Sequence, residues 1–463
     1  MATSNPAPAR RGSLVAPLML LGLGVLFLIT NLRPEISVWR LFAQYWPFLL
    51  IFWGAARLVE YTIARAASRP IARTLTGGEI LLAVAICLVG HVMFVAQRGD
   101  WGVWRFGDRG VEILGESYDF PLPPSNIELP ARSEVAIENL QGTIRVSGTD
   151  SRTMRIAGRK YIRAFDRAGA EQADKASGIS VRKDGGRVQV QAGQGSLSGS
   201  RHISCELEIT VPRDSILRLE GRNGDIEIRD MTASVDVTGA NSPVRLSNIG
   251  GNVRVEVRRS ETVQAEQLGS NIEVTGRGRD LDLTKIAGTV TINGDFSGNI
   301  RLAELARPAR YTSSVTDLSF QKLPGKLEMD LGVLYAVNII GPLKIQTRSK
   351  DVRLENFSKD VDISSRRGDI DLRDPTLPLA SIHAETQNGD VSVALPSNAV
   401  FSLQAETAHG QIVNQFGAAV RVEEHGRSAQ AHGGVARGEG AEIRLRTGRG
   451  SITLAKTGDV QAL

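Results

Sequence analysis

The segments NGDIEI (Asn223–Ile228), NSPVRL (Asn241–Leu246), NVRVEV (Asn252–Val257) and SNIEVT (Ser270–Thr275) repeat one pattern: a turn rich in Asn, Gly or Asp, then apolar, polar, apolar. The unit returns as GTVTIN (Gly288–Asn293), KDVRLE (Lys350–Glu355), KDVDIS (Lys359–Ser364) and RGDIDL (Arg367–Leu372). NGDVSV (Asn388–Val393), HGQIVN (His409–Asn414) and GSITLA (Gly450–Ala455) continue it. The first apolar positions recur at roughly nine residues or twice that, a period that marks stacked supersecondary units, each too small to bury its apolar face alone. The expected fold is a right-handed parallel β-solenoid with coils of about eighteen to twenty-one residues, paired at roughly 4.7–4.9 Å. Ile226 and Ile228 then point inward, Glu227 and Arg229 face water, and Gly or Asn at the corners supply positive φ at little steric cost. An antiparallel sandwich would also give strands every eight or so residues. The near-unchanged recurrence of turn plus triplet favours the solenoid.

Working outward, Glu304–Pro342 fits the repeat less well, and Val420–Gly440 reads as a loop containing Gly and His. Upstream, Ile144–Gly148, Arg187–Gln191 and Glu206–Val211 alternate as strands, and DRAGAEQADKAS (Asp166–Ser177) reads as a small helix. YDFPLPPSNIELP (Tyr118–Pro130) is a proline-rich extended spacer.

Composition agrees with many short strands and tight turns: 48 glycines in 463 residues, 42% hydrophobic and only 5% aromatic. The net charge of +5 is spread beside Asp and Glu along the strands, so no nucleic-acid partner is expected. Cys87 lies in an apolar run and Cys205 in a strand segment, so no disulfide framework follows and both read as small buried hydrophobes.

At the amino-terminal side the pattern is different. Three apolar runs, Ser13–Thr30, Leu41–Ala56 and Ile80–Ala96, approach the roughly 17–25 residues that cross a bilayer as helix. The second carries Trp46, Pro47 and Trp53, with Tyr45 and Tyr61 placed like aromatic-belt residues at its two ends, and His91 in the third reads as facing a neighbouring helix or the interface. Arg10, Arg11, Arg57, Arg65, Arg69 and Arg73 lie on one side, against Arg33 and Arg40 on the other. That asymmetry predicts a cytoplasmic amino terminus, three crossings and an extracytoplasmic remainder. A cleaved signal peptide would share the leading arginines, but NLRPEIS after Thr30 offers no small-x-small cleavage site.

RRGSLVAPLMLLGLGVLFLITNL (Arg10–Leu32) followed by YWPFLLIFWGAARL (Tyr45–Leu58) resembles the membrane region of the LiaI/LiaF-like envelope-stress proteins, a likeness that covers about residues 12–60. RLEGRNGDIEIRD, TRSKDVRLENFSKDVDI and TQNGDVSVALP make residues 130–463 similar to the putative-adhesin family of β-strand-repeat domains. The resemblance implies a membrane-anchored extracytoplasmic solenoid without an assigned biochemical activity, in some relatives tied to envelope stress. The third crossing at Ile80–Ala96 departs from the LiaF-type pattern.

Stacked coils can also bring carboxylates together, and Asp225, Asp295, Asp369 and Asp390 are the obvious ladder. A pair at about 5–5.5 Å or about 6.5–9.5 Å would suit glycoside hydrolysis. Each Asp follows a Gly in a turn, however, and turn preference explains it. Arg367-Gly368-Asp369 belongs to the same turn series rather than to an adhesion motif. His202, His383, His409, His425 and His432 lack metal-ligand spacing. No catalytic, cofactor-binding or metal residue is therefore assigned, and no cofactor is expected.

The expected organisation is three N-terminal transmembrane α-helices plus an all-β C-terminal domain. Residues 1–97 form the membrane anchor, with helices over 13–30, 41–58 and 79–96. Residues 98–130 form an interfacial segment and linker, 131–212 a β-rich cap or irregular start, and 213–463 the solenoid. The expected partners are the lipid bilayer through residues 13–96 and envelope proteins or glycans on the solenoid face. The expected place is a bacterial cytoplasmic (inner) membrane, with the β domain periplasmic. The expected function is non-catalytic: interaction, structure or envelope stress. The alternative is a β-helical carbohydrate-active enzyme.

Overall fold

The computed structural model describes residues 116–164, 166–192, 203–435 and 440–457, with Ile51, Gly54, Val84, Cys87 and Leu88 as isolated helical positions. The three apolar runs, His91 and His202 otherwise lie outside the described residues. Among the described residues no helix is long and apolar enough to cross a membrane.

The helix α1 (Arg167–Ala176) belongs to a smaller compact unit that, among the described residues, also holds residues 116–120 and 161–164. It begins where Asp166 Oδ1 accepts the Gly169 N–H at 2.7 Å, satisfying one of the donors that every helix start leaves over. The expected helix over Asp166–Ser177 is present. The spacer is a strand, β1 (Glu116–Glu128), in keeping with its extended reading.

The larger unit consists of two strand ladders facing each other across one core. Ladder A contains β8 (Ile216–Arg222), β10 (Val235–Ala240), the first halves of β12 (Val253–Leu268) and β13 (Ile272–Ile286), and β14 (Val290–Phe296), all parallel. Ladder B contains β9 (Ile226–Met231), β11 (Val244–Ile249), the second halves of β12 and β13, and β15 (Ile300–Leu305). Each coil thus supplies one strand to each ladder, and stacked partners are 18 or 19 residues apart. Alternation puts Ile226, Val244, Val263, Leu281 and Ile300 in one buried column and Ile228, Leu246, Ala265, Leu283 and Leu302 in the next. Burying each large side chain contributes about 1.5–3 kcal/mol, so every coil adds stability only by covering its neighbour.

Within ladder B a positive-φ residue recurs one place before the last inward side chain: Asp230, Asn248, Gln267, Lys285 and Glu304. At the corners the expectation that Gly and Asn supply positive φ holds, as at Asn223, Asn241, Gly368 and Gly389, whereas these positions inside the strands are filled by Asp230, Gln267, Lys285 and Glu304 as well as Asn248. The ladder hydrogen bonds on both sides hold the backbone there, at a cost of about 1–2 kcal/mol for a side chain with Cβ.

Where the sequence repeat weakens, strand direction flips. β16 (Ala309–Thr312) continues ladder A in parallel, then turns at Ser313–Val315 into β17 (Thr316–Phe320), which is antiparallel to it. β18 (Leu323–Met329) is antiparallel to β15 and, after a second turn at Asp330–Gly332, to β19 (Val333–Ile340). β20 (Leu343–Thr347) pairs antiparallel with β17. Parallel stacking resumes with β21 (Asp351–Ser358) on β19 and β22 (Val361–Ser365) on β20. One reversed coil is thus sandwiched between two parallel stacks.

Both ends are closed by intercalation. β2 (Glu134–Asn139) lies between β6 (Arg187–Ala192) and β8, and β3 (Ile144–Thr149) between β7 (Ile203–Pro212) and β9. At the other end β30 (Ala441–Arg449) inserts between β24 (Ile382–Asn388) and β26 (Phe401–Thr407). β31 (Ile452–Lys456) likewise inserts between β25 (Val391–Leu395) and β27 (Ile412–Asn414). The segment expected to be a loop over Val420–Gly440 is instead largely a hairpin, β28 (Val420–His425) and β29 (Ser428–Val435), which pairs with β26. Its outer strand is mostly exposed, so it lacks the buried alternation that would reveal a strand.

Candidate functional site

The turn carboxylates are the groups that a catalytic role would need, and their partners are backbone and side-chain donors of neighbouring turns. Asp351 Oδ1 accepts the Asp369 N–H at 2.9 Å, Asp369 Oδ1 accepts the Asp390 N–H at 2.8 Å, and Asp390 Oδ1 accepts the Ser451 N–H at 2.7 Å. These aspartates form a ladder, but each tethers the next turn of the stack. Asp225 and Asp295 belong to other turns: Asp225 pairs with Arg245 at 2.9 Å, and Asp295 Oδ1 accepts both the N–H and the hydroxyl of Ser314 at 2.8 Å. Electrostatics follow the hydrogen bonds. Backbone donation from Ser314, then its hydroxyl, holds the Asp295 carboxyl below the ordinary carboxylate range. The Asn299 N–H does the same for Asp280, and the Val333 and Gly332 N–H groups for Asp330. Downward shifts stabilise the anion, whereas a general acid at neutral pH needs an upward one. Asp351 was missed in the sequence reading, although KDVRLE shares the turn pattern of RGDIDL and NGDVSV.

A column of glycines makes this turn stack possible. A Cβ on Gly389 would lie 2.1 Å from Gly368 O, and one on Gly450 would lie 2.1 Å from Gly389 O. Buried Thr386 and Thr447 donate their hydroxyls to the same two carbonyls, at 3.1 and 2.8 Å. Gly368 and Asp369 of the Arg-Gly-Asp triplet are therefore structural members of the turn column. Lys350 occupies the equivalent place in the preceding coil, where its buried ammonium donates to Asp330 O. Burial lowers its pKa, with Asp330 opposing.

Among the described residues the outer faces carry rows of alternating charge. Across ladder B, Glu208, Arg145, Glu227 and Arg245 sit opposite one another in order. Arg145 is 3.9 Å from Glu208 and 3.6 Å from Glu227. Ladder A repeats the alternation with Arg218 and Asp236 at 3.7 Å and Arg254 and Glu273 at 3.1 Å. Exposed pairs of this kind contribute about 0–1 kcal/mol each, and their consistent value is in fixing register. Arg145, Arg155, Glu208, Glu227 and Arg229 line a concavity of about 570 Å³ in which both signs of charge are already paired or interspersed.

Exposed His383, His409, His425 and His432 are not brought together, and among the described residues no group of His, Cys, Asp or Glu is arranged to hold a metal ion. Cys205 is buried in β7, as expected of a small hydrophobe.

Residues 132–455 match the Toastrack DUF4097 family, over the span that the two ladders occupy. The chain belongs to that family. Residues 15–105 match the LiaF transmembrane domain, so this chain fuses a toastrack domain to a LiaF-type membrane domain and is membrane-associated. Two solved structures align with the toastrack region. One is titled a putative cell adhesion protein from Clostridium sporogenes, at 10% identity over 74% of this chain and 100% of that one, with a TM-score of 0.17. The other is titled a putative adhesin from Bacteroides fragilis, at 12% identity over 73% and 97%, with a TM-score of 0.18. At such scores neither supports a conclusion about this chain. No curated protein matches it.

Proposed function

We propose that this chain is a non-catalytic envelope protein: a three-helix anchor in the bacterial cytoplasmic membrane presents the toastrack solenoid outside the cytoplasm for protein or glycan contact. The observation that carries this reading is the fusion itself, a LiaF-type membrane domain over residues 15–105 joined to a stack of strands with charge-paired faces. Helices over 13–30, 41–58 and 79–96, the limit at 97 and the cytoplasmic amino terminus follow from apolar runs and arginine placement, the limit at 130 from the proline-rich spacer and that at 212 from the onset of the repeat. The solenoid winds right-handed on this reading, as parallel crossovers nearly always do. The charge-paired faces support contact over a broad surface, because the concavity described on them is lined by mixed charges without an aromatic side chain to stack on a sugar.

Topology provides the test. A phosphatase fused after residue 457 should be active and a cytosolic reporter at the same place inactive, with the chain resisting carbonate extraction. A carboxyl-terminal reporter active only in the cytosol would sink the proposal. Capture of partners from membranes by the full chain, compared with a chain lacking residues 1–97, then separates contacts made by the anchor from those made by the solenoid.

A further inference from the structure

One edge of the solenoid gathers exposed arginines that stand outside the ion pairs of the faces. Turns leading from ladder A to ladder B line this edge and are strung together by backbone hydrogen bonds. Arg348 N–H donates to Val315 O at 3.0 Å, Asp351 N–H to Gly332 O at 2.8 Å, Gly368 N–H to Asn388 O at 3.0 Å and Gly389 N–H to Arg449 O at 2.9 Å. Both hairpins of the reversed coil turn on the same edge, beside Arg348 and Lys350. The register Thr347↔Ser365 puts Arg348 next to Arg366, and Asn388↔Arg449 continues the row begun by Arg367.

Many arginines on the faces are paired with carboxylates, among them Arg145, Arg218, Arg245 and Arg254, while Arg229 and Arg353 there are not, among the described residues. On the edge, Arg348, Arg366, Arg367 and Arg449 are all exposed and have no ion pair among the described residues. The carboxylates of this edge, Asp330, Asp351, Asp369 and Asp390, each accept a backbone N–H. The two hairpin tips add apolar side chains, Val315 at 44% exposure and Leu331 at 73%. Unpaired guanidinium groups beside exposed apolar tips are what an interfacial membrane surface uses: the cations meet phosphates while the apolar groups enter the headgroup boundary.

We propose that this edge docks on an anionic lipid surface, with Arg348, Arg366, Arg367 and Arg449 meeting headgroup phosphates and Val315 and Leu331 reaching the acyl boundary. The proposal rests on membrane attachment of this chain, because tethering raises the local lipid concentration and lets a few contacts suffice. Each arginine near an anionic surface adds attraction equivalent to about a fivefold change in the docked-to-undocked ratio.

The test uses the full chain in proteoliposomes, with Cys87→Ser removing one thiol and Cys205 protected by its 1% exposure. An environment-sensitive dye is attached at Leu331→Cys, or at the control Ser358→Cys on the opposite edge. Phosphatidylglycerol-rich vesicles should shift the Leu331→Cys label to the blue and expose it to headgroup-bound quencher, whereas phosphatidylcholine vesicles and the Ser358→Cys label should show neither. Each Arg→Gln change at the four positions should lower the docked ratio about fivefold, and about 1 M salt should abolish it. A label that stays aqueous on phosphatidylglycerol while the chain resists carbonate extraction overturns the docking proposal and leaves the anchor standing. Loss of the chain on carbonate washing sinks the anchor and the proposal together. A shift produced equally by soluble polyphosphate over phosphatidylcholine assigns the edge to phosphate polymers and overturns the lipid reading.

Discussion

The coils from Ile216 to Leu305 and the reversed coil from Thr316 to Met329 build the same core by opposite means. In the regular coils parallel strands stack Leu283 on Leu302, and in the reversed coil an antiparallel strand sets Leu327 opposite Leu302 in the same column. Tyr311 and Leu318 do likewise in ladder A. What a solenoid needs from each layer is inward alternation and a full set of ladder hydrogen bonds, and both are indifferent to chain direction.

The largest test of that equivalence is to empty one core position in each region. Leu283→Ala and Leu327→Ala should each cost about 2–5 kcal/mol in denaturant unfolding, because both side chains are fully buried. A cost for Leu327→Ala below about 1 kcal/mol, against a full cost for Leu283→Ala, would make the reversed coil a loose insert.

Acid should separate the two regions more gently. Asp295 and Asp330 tie the two reversing hairpins, and hydrogen bonds from Ser314, Val333 and Gly332 hold their folded pKa values below the unfolded ones. Their contribution is therefore complete above the ordinary carboxylate range and is lost as pH falls through the lowered folded values. Amide exchange at Ser314, Gly332 and Val333, corrected for intrinsic rates, should accelerate as pH falls below about 4. Asp295→Asn and Asp330→Asn should flatten that dependence. Unchanged exchange would mean that strand pairing alone holds the hairpins.

The smallest effect belongs to the regular stack. Lys285 is held at φ 58 where Asn248 occupies the equivalent place two coils earlier. Lys285→Asn should stabilise by about 0.5–1 kcal/mol, read as a raised unfolding midpoint.

Much of the solenoid was legible because Ile226 and Ile228 and their successors announce an inward triplet every coil or half coil. The reversal was not, because TDLSF and LEM alternate as well backward as forward, and period two carries no direction. The Val420–Val435 hairpin escaped because an exposed edge strand needs no apolar face. Intercalation was hidden for another reason: β31 stacks on β25 across an interval of 61 residues, as the Ser451 and Asp390 contact shows, so chain neighbours are not stack neighbours. Of the candidate site, the Gly-Asp turns were recognised for what they are, while the bare arginines of the edge become conspicuous only when turns far apart in sequence are lined up.

Intercalation at the carboxyl side also sets an order of events during synthesis. The cap made of β26 to β29 leaves the ribosome before β30 and β31, the coil on which β26 and β27 must rest. Until those last strands emerge, the cap has no platform and β24 and β25 present an open edge. A transcript cut short before Ala441 would therefore yield a chain with a sticky, unfinished flank, a state that quality-control proteases can recognise without reading any signal sequence.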